Sequence, residues 1–138
     1  MPLFSNERNL ELLAGKIHKA AVGLICNVGE GRYFGTGTLI RADGVILTSS
    51  TVLPPGATDI KVFLSDGSTL PANLVAVEKN LELSLAKLDG NGFFFLPLGS
   101  SNDSKVGESV FTLGNAYNNA SGEGRVSVGR GILSGKYL

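Results

Sequence analysis

Gly35-Thr36-Gly37-Thr38-Leu39-Ile40, Arg41-Ala42-Asp43-Gly44 and Val45-Ile46-Leu47-Thr48-Ser49-Ser50-Thr51-Val52-Leu53 follow one another without a break. Two runs rich in β-branched and aliphatic residues flank an Asp-Gly pair, which tolerates the positive φ of a tight primed turn. This reads as a β-hairpin with strands over about 33–41 and 45–48. Ser65-Asp66-Gly67-Ser68 repeats the signal further on, between predicted strands over 59–64 and 70–78. Working outward, apolar runs over 21–27, 83–88, 109–113 and 126–133 complete eight short strands, with nineteen glycines along the chain to supply turns. No helical pattern separates the strands, so a parallel βαβ sheet is disfavoured and one closed antiparallel unit is expected.

The exception is the N-terminus. Leu10, Leu13, Ala14 and Ile17 recur at three- and four-residue steps, which predicts a helix over 6–19 capped by Ser5 or Asn6. The 138 residues suffice for one domain, which at this size buries about two-thirds of its unfolded surface. Hydrophobic residues at 43% against 17% charged describe a packed globular chain and argue against disorder.

Charge and chemistry then exclude several classes of function. Twelve basic residues balance twelve acidic ones, so no net field draws the chain to nucleic acid or anionic lipid. Arg125, Arg130 and Lys136 form only a weak local patch. One cysteine, Cys26, forbids an internal disulfide, and with one histidine, His18, the usual Cys/His zinc sites cannot be assembled. No metal or cofactor is expected; Gly122-x-Gly124 is too little for a nucleotide loop. The start Met1-Pro2-Leu3-Phe4-Ser5 lacks a basic region followed by an apolar stretch, and no run approaches a bilayer span. The chain as written is expected to be soluble, without an export leader and without a membrane partner.

The hairpin residues 35–40 and 43–53 resemble the opening of a trypsin-like serine protease of the HtrA (DegP) type. Val62-Phe63-Leu64-Ser65-Asp66-Gly67 with Pro71-Ala72-Asn73-Leu74-Val75, Leu83-Ser84-Leu85-Ala86-Lys87-Leu88, Leu96-Pro97-Leu98-Gly99-Ser100-Ser101, Val106-Gly107-Glu108, Leu113-Gly114-Asn115 and Gly131-Ile132-Leu133-Ser134 continue that likeness in order. The resemblance implies a mainly β chain: an N-terminal helix and lead-in over 1–19, a six-stranded antiparallel first barrel over 20–115, and over 116–138 a crossover loop with the first strand of a second barrel. In that family the nucleophilic serine lies in a Gly-x-Ser-Gly-Gly segment of the second barrel. These residues contain no Gly-x-Ser-x-Gly.

The departures carry the chemistry. Where the family reads Leu-Thr-Asn-Asn-His-Val, this chain has Leu47-Thr48-Ser49-Ser50-Thr51-Val52, so Thr51 occupies the general-base position. A threonine hydroxyl cannot take a proton from serine near neutrality and return it to the leaving amine, as imidazole does. Where the family reads Thr-Asp-Leu-Ala-Leu-Leu-Lys, this chain has Leu81-Glu82-Leu83-Ser84-Leu85-Ala86-Lys87, placing Glu82 at the orienting aspartate with no histidine to orient. Losing the histidine of a comparable triad costs about 10⁶ in rate, roughly 8 kcal/mol of transition-state stabilisation. Thr51 and Glu82 are therefore expected to be catalytically inactive.

Other features have plainer readings. His18, beside Lys16 and Lys19, reads as a solvated helix residue rather than a replacement base. Cys26, in an apolar strand, reads as core packing rather than a redox thiol. Thr48-Ser49-Ser50-Thr51 reads as a turn bonding its own backbone, and Glu82 as a partly exposed or hydrogen-bonded carboxylate. Asn119-Ala120-Ser121 fits the glycosylation pattern by chance. Phe93-Phe94-Phe95 cannot all point inward from a regular strand, so at least one must find another surface, by closing the barrel, packing on a second barrel, or meeting a separate polypeptide partner or, in self-association, another copy. Three functions compete: an inactive HtrA-type binding or scaffold module, the N-terminal part of a serine endopeptidase, and a receptor using the barrel mouth or an open sheet edge.

Overall fold

The computed structural model describes residues 2–114 and 127–137, with side chains from residue 9 onward. After helix α1 (Pro2–Ile17) and a 3-10 turn (His18–Ala20) come β1 (Ala21–Val28), β2 (Gly31–Leu39), β3 (Val45–Ser49), β4 (Thr58–Phe63), β5 (Thr69–Glu78), β6 (Leu83–Leu88), β7 (Ser109–Gly114) and β8 (Ser127–Ile132). The first six strands close into an antiparallel barrel in the order β1-β2-β3-β6-β5-β4, and β7 pairs with β8 in a separate two-stranded sheet. The mainly β, six-stranded antiparallel barrel with an N-terminal helix is thus the observed fold.

Alternation builds its core. Val22, Leu24 and Cys26 of β1, Ile60 and Val62 of β4, and Ala86 and Leu88 of β6 point inward with Leu39, Ile46 and Leu53, each pair two residues apart as the pleat requires. Gly35 and Gly37 of β2 are small for a reason of space. A Cβ on Gly37 would stand 2.6 Å from Ile46 Cγ2 and 2.8 Å from Leu24 Cδ1, and one on Gly35 would enter the Val52 side chain.

Four expectations are corrected. The helix starts at Pro2, not at residue 6, and Ser5 and Asn6 lie inside it rather than capping it; proline is tolerated in a first turn, whose N–H groups have no partner anyway. It also ends at Ile17, before the expected Lys19. The two hairpin turns confine positive φ to Gly44 and Gly67. Each is a turn closed by the glycine N–H, on the Arg41 and Leu64 carbonyls respectively, followed by a left-handed glycine bulge in place of a primed turn. Finally, the barrel strands end at Leu88, so β7 falls outside the unit expected over 20–115 and joins β8 instead. It pairs with β8 in unbroken register, Ser109 opposite Ile132 to Gly114 opposite Ser127. The loop expected over 116–124, with Asn119-Ala120-Ser121, and Arg125 lie outside the described residues.

Gly37→Ala is expected to destabilise the chain by about 1–3 kcal/mol through overpacking, read as a lower urea midpoint; an unchanged midpoint would contradict the close approach of β1, β2 and β3.

Candidate functional site

Pairing of β3 with β6 sets Ser49 opposite Leu83, so the turn after β3 and the residue before β6 become neighbours. The Ser50 N–H donates to the Glu82 carbonyl at 3.0 Å. Residues 51 and 82, far apart in sequence, are therefore brought to the same end of the barrel. Glu82 is held at φ 55, a left-handed conformation that costs a long side chain more than it would Asp or Asn.

The turn itself is bonded as the hydroxyl-rich sequence implies. Val52 N–H and Leu53 N–H both donate to the Ser49 carbonyl, at 3.0 and 3.1 Å. Ser49 Oγ accepts from the Thr51 N–H at 3.1 Å and lies 2.7 Å from Thr51 Oγ1. The Thr48 hydroxyl is buried and donates to the Thr36 carbonyl at 2.8 Å. Beneath the turn, the buried Ser84 hydroxyl donates to the Leu53 carbonyl at 2.7 Å, and Cys26 Sγ donates to the Val52 carbonyl at 3.3 Å. Thr51 and Glu82 are both exposed.

His18 is not part of this cluster. Ala21 lies opposite Thr38, and Thr38 opposite Leu47; continuing β1 backwards carries His18 toward the Gly44 end, away from Thr51. Lys19 accordingly lines a cleft with Leu39, Asp66, Phe93 and Phe94. His18 is half-buried in its 3-10 turn rather than fully solvated. Among the described residues, no group of three or more His, Cys, Asp or Glu is placed to hold a metal ion, and no helix is long and apolar enough to cross a membrane. Of the basic patch, Arg130 is exposed on β8, while Lys136 Nζ donates to the Asn102 and Ser104 carbonyls at 3.3 and 2.8 Å.

The three phenylalanines divide. Phe93 packs against the core cluster and closes the Gly44 end, its N–H donating to the Ala42 carbonyl at 3.1 Å. Phe94 and Phe95 remain 42% and 38% exposed. The chain then runs along the outside of the barrel, fixed by Leu96 N–H on the Leu39 carbonyl. Leu98 reaches an apolar groove of about 290 Å³ formed with Ile40, Leu47, Ala76, Leu83 and Leu85. Leu47 and Leu83 sit on the strand ends that carry the Thr51 turn and Glu82, so this groove abuts the site. No motif marks this groove; its only signal in the sequence is the set of outward-facing leucines on β3 and β6.

Comparison with known proteins agrees with this geometry. The trypsin-like peptidase domain family matches residues 35–138, beginning at the hairpin that seats the Thr51 turn. The chain belongs to that family, and its relatives place it with the HtrA/DegP type. A probable periplasmic serine endoprotease DegP-like from Pseudomonas savastanoi is 37% identical over 107 residues, covering 78% of this chain and 21% of the relative. A protein of the same description from Ectopseudomonas mendocina is 36% identical over 112 residues, 79% of this chain and 23% of the relative. Another from Halomonas elongata is 38% identical over 88 residues, 64% and 18% respectively. The chain spans about a fifth of the length of the curated relatives it matches.

Burial raises the pKa of the Cys26 thiol. A raised pKa in the folded state means that the neutral thiol's contribution is complete below the unfolded thiol's pKa and is lost as pH rises through the folded value. Native chain at pH 8 is expected to react with a disulfide reagent at least about ten-fold more slowly than denatured chain; equal rates would contradict the buried placement.

Proposed function

We propose that this domain is a catalytically inactive trypsin-like module of the HtrA/DegP type that binds polypeptide. The observation that carries the reading is Thr51 at the general-base position, its hydroxyl 2.7 Å from Ser49 Oγ inside its own turn. Neither hydroxyl is a base near neutrality, and Glu82 has no imidazole to orient. A nucleophilic serine supplied by a second barrel would face this site without a proton acceptor.

Support for binding comes from the surface that flanks the site. Leu98 is 69% exposed and Leu83 39% exposed beside the apolar groove, and Phe94, exposed earlier on the same connecting segment, lines a second cleft at the Gly44 end. Apolar side chains grouped in this way mark a contact surface. The occupant is an unfolded or extended polypeptide, a second barrel or another copy of the chain.

A second reading has its own observation. The chain covers about a fifth of the endoproteases it resembles, and every residue of β8 is exposed in a sheet of only two strands, an arrangement marginal without further packing. The domain is then the N-terminal part of a longer serine endopeptidase, with the nucleophile and specificity pocket beyond Leu138.

One titration separates them. The complete gene product, mixed with fluorescently labelled unfolded casein, is expected to raise its anisotropy while leaving its mass unchanged. Leu98→Asp with Phe94→Asp is expected to weaken that binding at least about ten-fold, as loss of central apolar contacts does. Fragmentation of the casein, blocked by a serine-directed phosphonofluoridate, establishes the second reading; absence of both binding and cleavage overturns the first.

A further inference from the structure

The loop that leaves β6 is clamped at both ends. Leu88 N–H donates to the Gly44 carbonyl at 2.9 Å and Phe93 N–H to the Ala42 carbonyl at 3.1 Å, so residues 89–92 bridge two bonds onto one turn. The Phe93 ring lies over Gly44 and Gly90, 3.2 and 3.3 Å from where their Cβ atoms would stand. Between the clamps Gly90-Asn91-Gly92 is exposed, and its two glycines take positive φ, 126 and 78.

Asn91 alone among the asparagines of the chain is followed by glycine. The space beside Gly92 is open, since a Cβ there would meet nothing within 4 Å. Among the described residues neither the Asn91 carboxamide nor the Gly92 N–H has a hydrogen-bond partner. The amides that follow Asp43 and Asp66 are engaged instead, Gly44 N–H on the Arg41 carbonyl and Gly67 N–H on the Leu64 carbonyl, and a carboxylate is a poorer electrophile than a carboxamide.

We infer that Asn91 is a spontaneous modification site, at which deamidation through a cyclic imide releases the Phe93 closure of the Gly44 end. The Gly92 nitrogen gives its proton to water and attacks the Asn91 side-chain carbonyl carbon. That C–N bond forms as the carboxamide C–N bond breaks, and the amino group takes a proton back from water and leaves as ammonia. Water then adds to one imide carbonyl and breaks its bond to the Gly92 nitrogen. Opening at the side-chain carbonyl gives aspartate; opening at the main-chain carbonyl gives isoaspartate, whose main chain is one methylene longer. The net change is water in and ammonia out. The added methylene falls one residue before the Phe93 clamp, so the Gly92-Phe93-Phe94 wall of the cleft that Lys19 and Asp66 line moves with it.

The full chain kept at pH 8, beside a synthetic peptide of residues 88–95, tests the site by digestion, mass spectrometry and isoaspartyl methyltransferase labelling. Asn91 is expected to deamidate at least about ten-fold faster than any other asparagine of the chain, because glycine leaves its own amide unhindered. Its rate is expected to lie within about three-fold of the peptide's, because a loop without hydrogen bonds opens at little cost. The isoaspartate form, isolated by anion exchange through its added negative charge, is expected to exchange the Phe93 amide hydrogen at least about ten-fold faster than the unmodified chain, relative to Ile46 in β3. Asn91→Asp carries the same charge on an ordinary main chain and is expected to keep Phe93 protection within about three-fold of the unmodified chain. A folded-chain rate below the range set by the peptide, or deamidation spread evenly over the asparagines, overturns the site. Unchanged Phe93 protection in the isoaspartate form, or equal loss of it in Asn91→Asp, overturns the release. None of these readouts depends on the chemistry at Thr51.

Discussion

The register of β3 against β6 is the constraint from which the rest follows. Ile46 opposite Ala86 and Thr48 opposite Ser84 face inward, while Leu47 opposite Leu85 faces out. A one-residue slip of β3 would expel Ile46 from the core and turn Leu47 inward, and one of β6 would expel Ala86 and Leu88 and bury Lys87. The apolar core therefore fixes the register, and the register fixes which backbone groups meet at the strand ends. Ser50 and Glu82 are neighbours for that reason and no other. Closure of the barrel through β1 and β4 then leaves no strand edge along which the pairing could shift.

This arrangement separates what holds the site from what would make it reactive. The contacts that seat the turn are a backbone hydrogen bond, two buried donors reaching from β1 and β6, and a van der Waals fit over Gly35. None needs an ionisable group at position 51. The folding contacts of the turn thus do not depend on the proton transfer whose loss is proposed above, and that loss would leave the framework of a trypsin-like domain standing. The Gly44 end shows the same economy: Phe93 closes it, and Lys87 Nζ ties the β2–β3 turn to β6 through the Asp43 and Leu88 carbonyls.

Much of this was legible in the residues. All eight strands lie within two residues of their expected places because β-branched and aliphatic runs between glycine-bearing turns leave little choice. The motif around residues 35–53 pointed to the family that the comparisons show, and Thr51 is the departure from it on which the proposed inactivity rests. What local sequence could not show was partnership across distance. Nothing in 109–113 says that these residues pair with β8 rather than the barrel, and nothing in Met1 to Ser5 announces that Pro2 opens the helix. Ser84 is the instructive case. A hydroxyl at an inward position of Leu83-Ser84-Leu85-Ala86-Lys87-Leu88 must find an acceptor, which was a readable signal, but the acceptor is the Leu53 carbonyl, 31 residues away.

The central claim is that the framework survives without its proton carrier, and the most direct measurement is kcat/KM for an unstructured peptide with the complete gene product across pH 6 to 9. The account predicts a rate indistinguishable from buffer at every pH. Many turnovers per enzyme, rising through an ionisation near neutrality, would show that another group does the work of the absent imidazole and would contradict it.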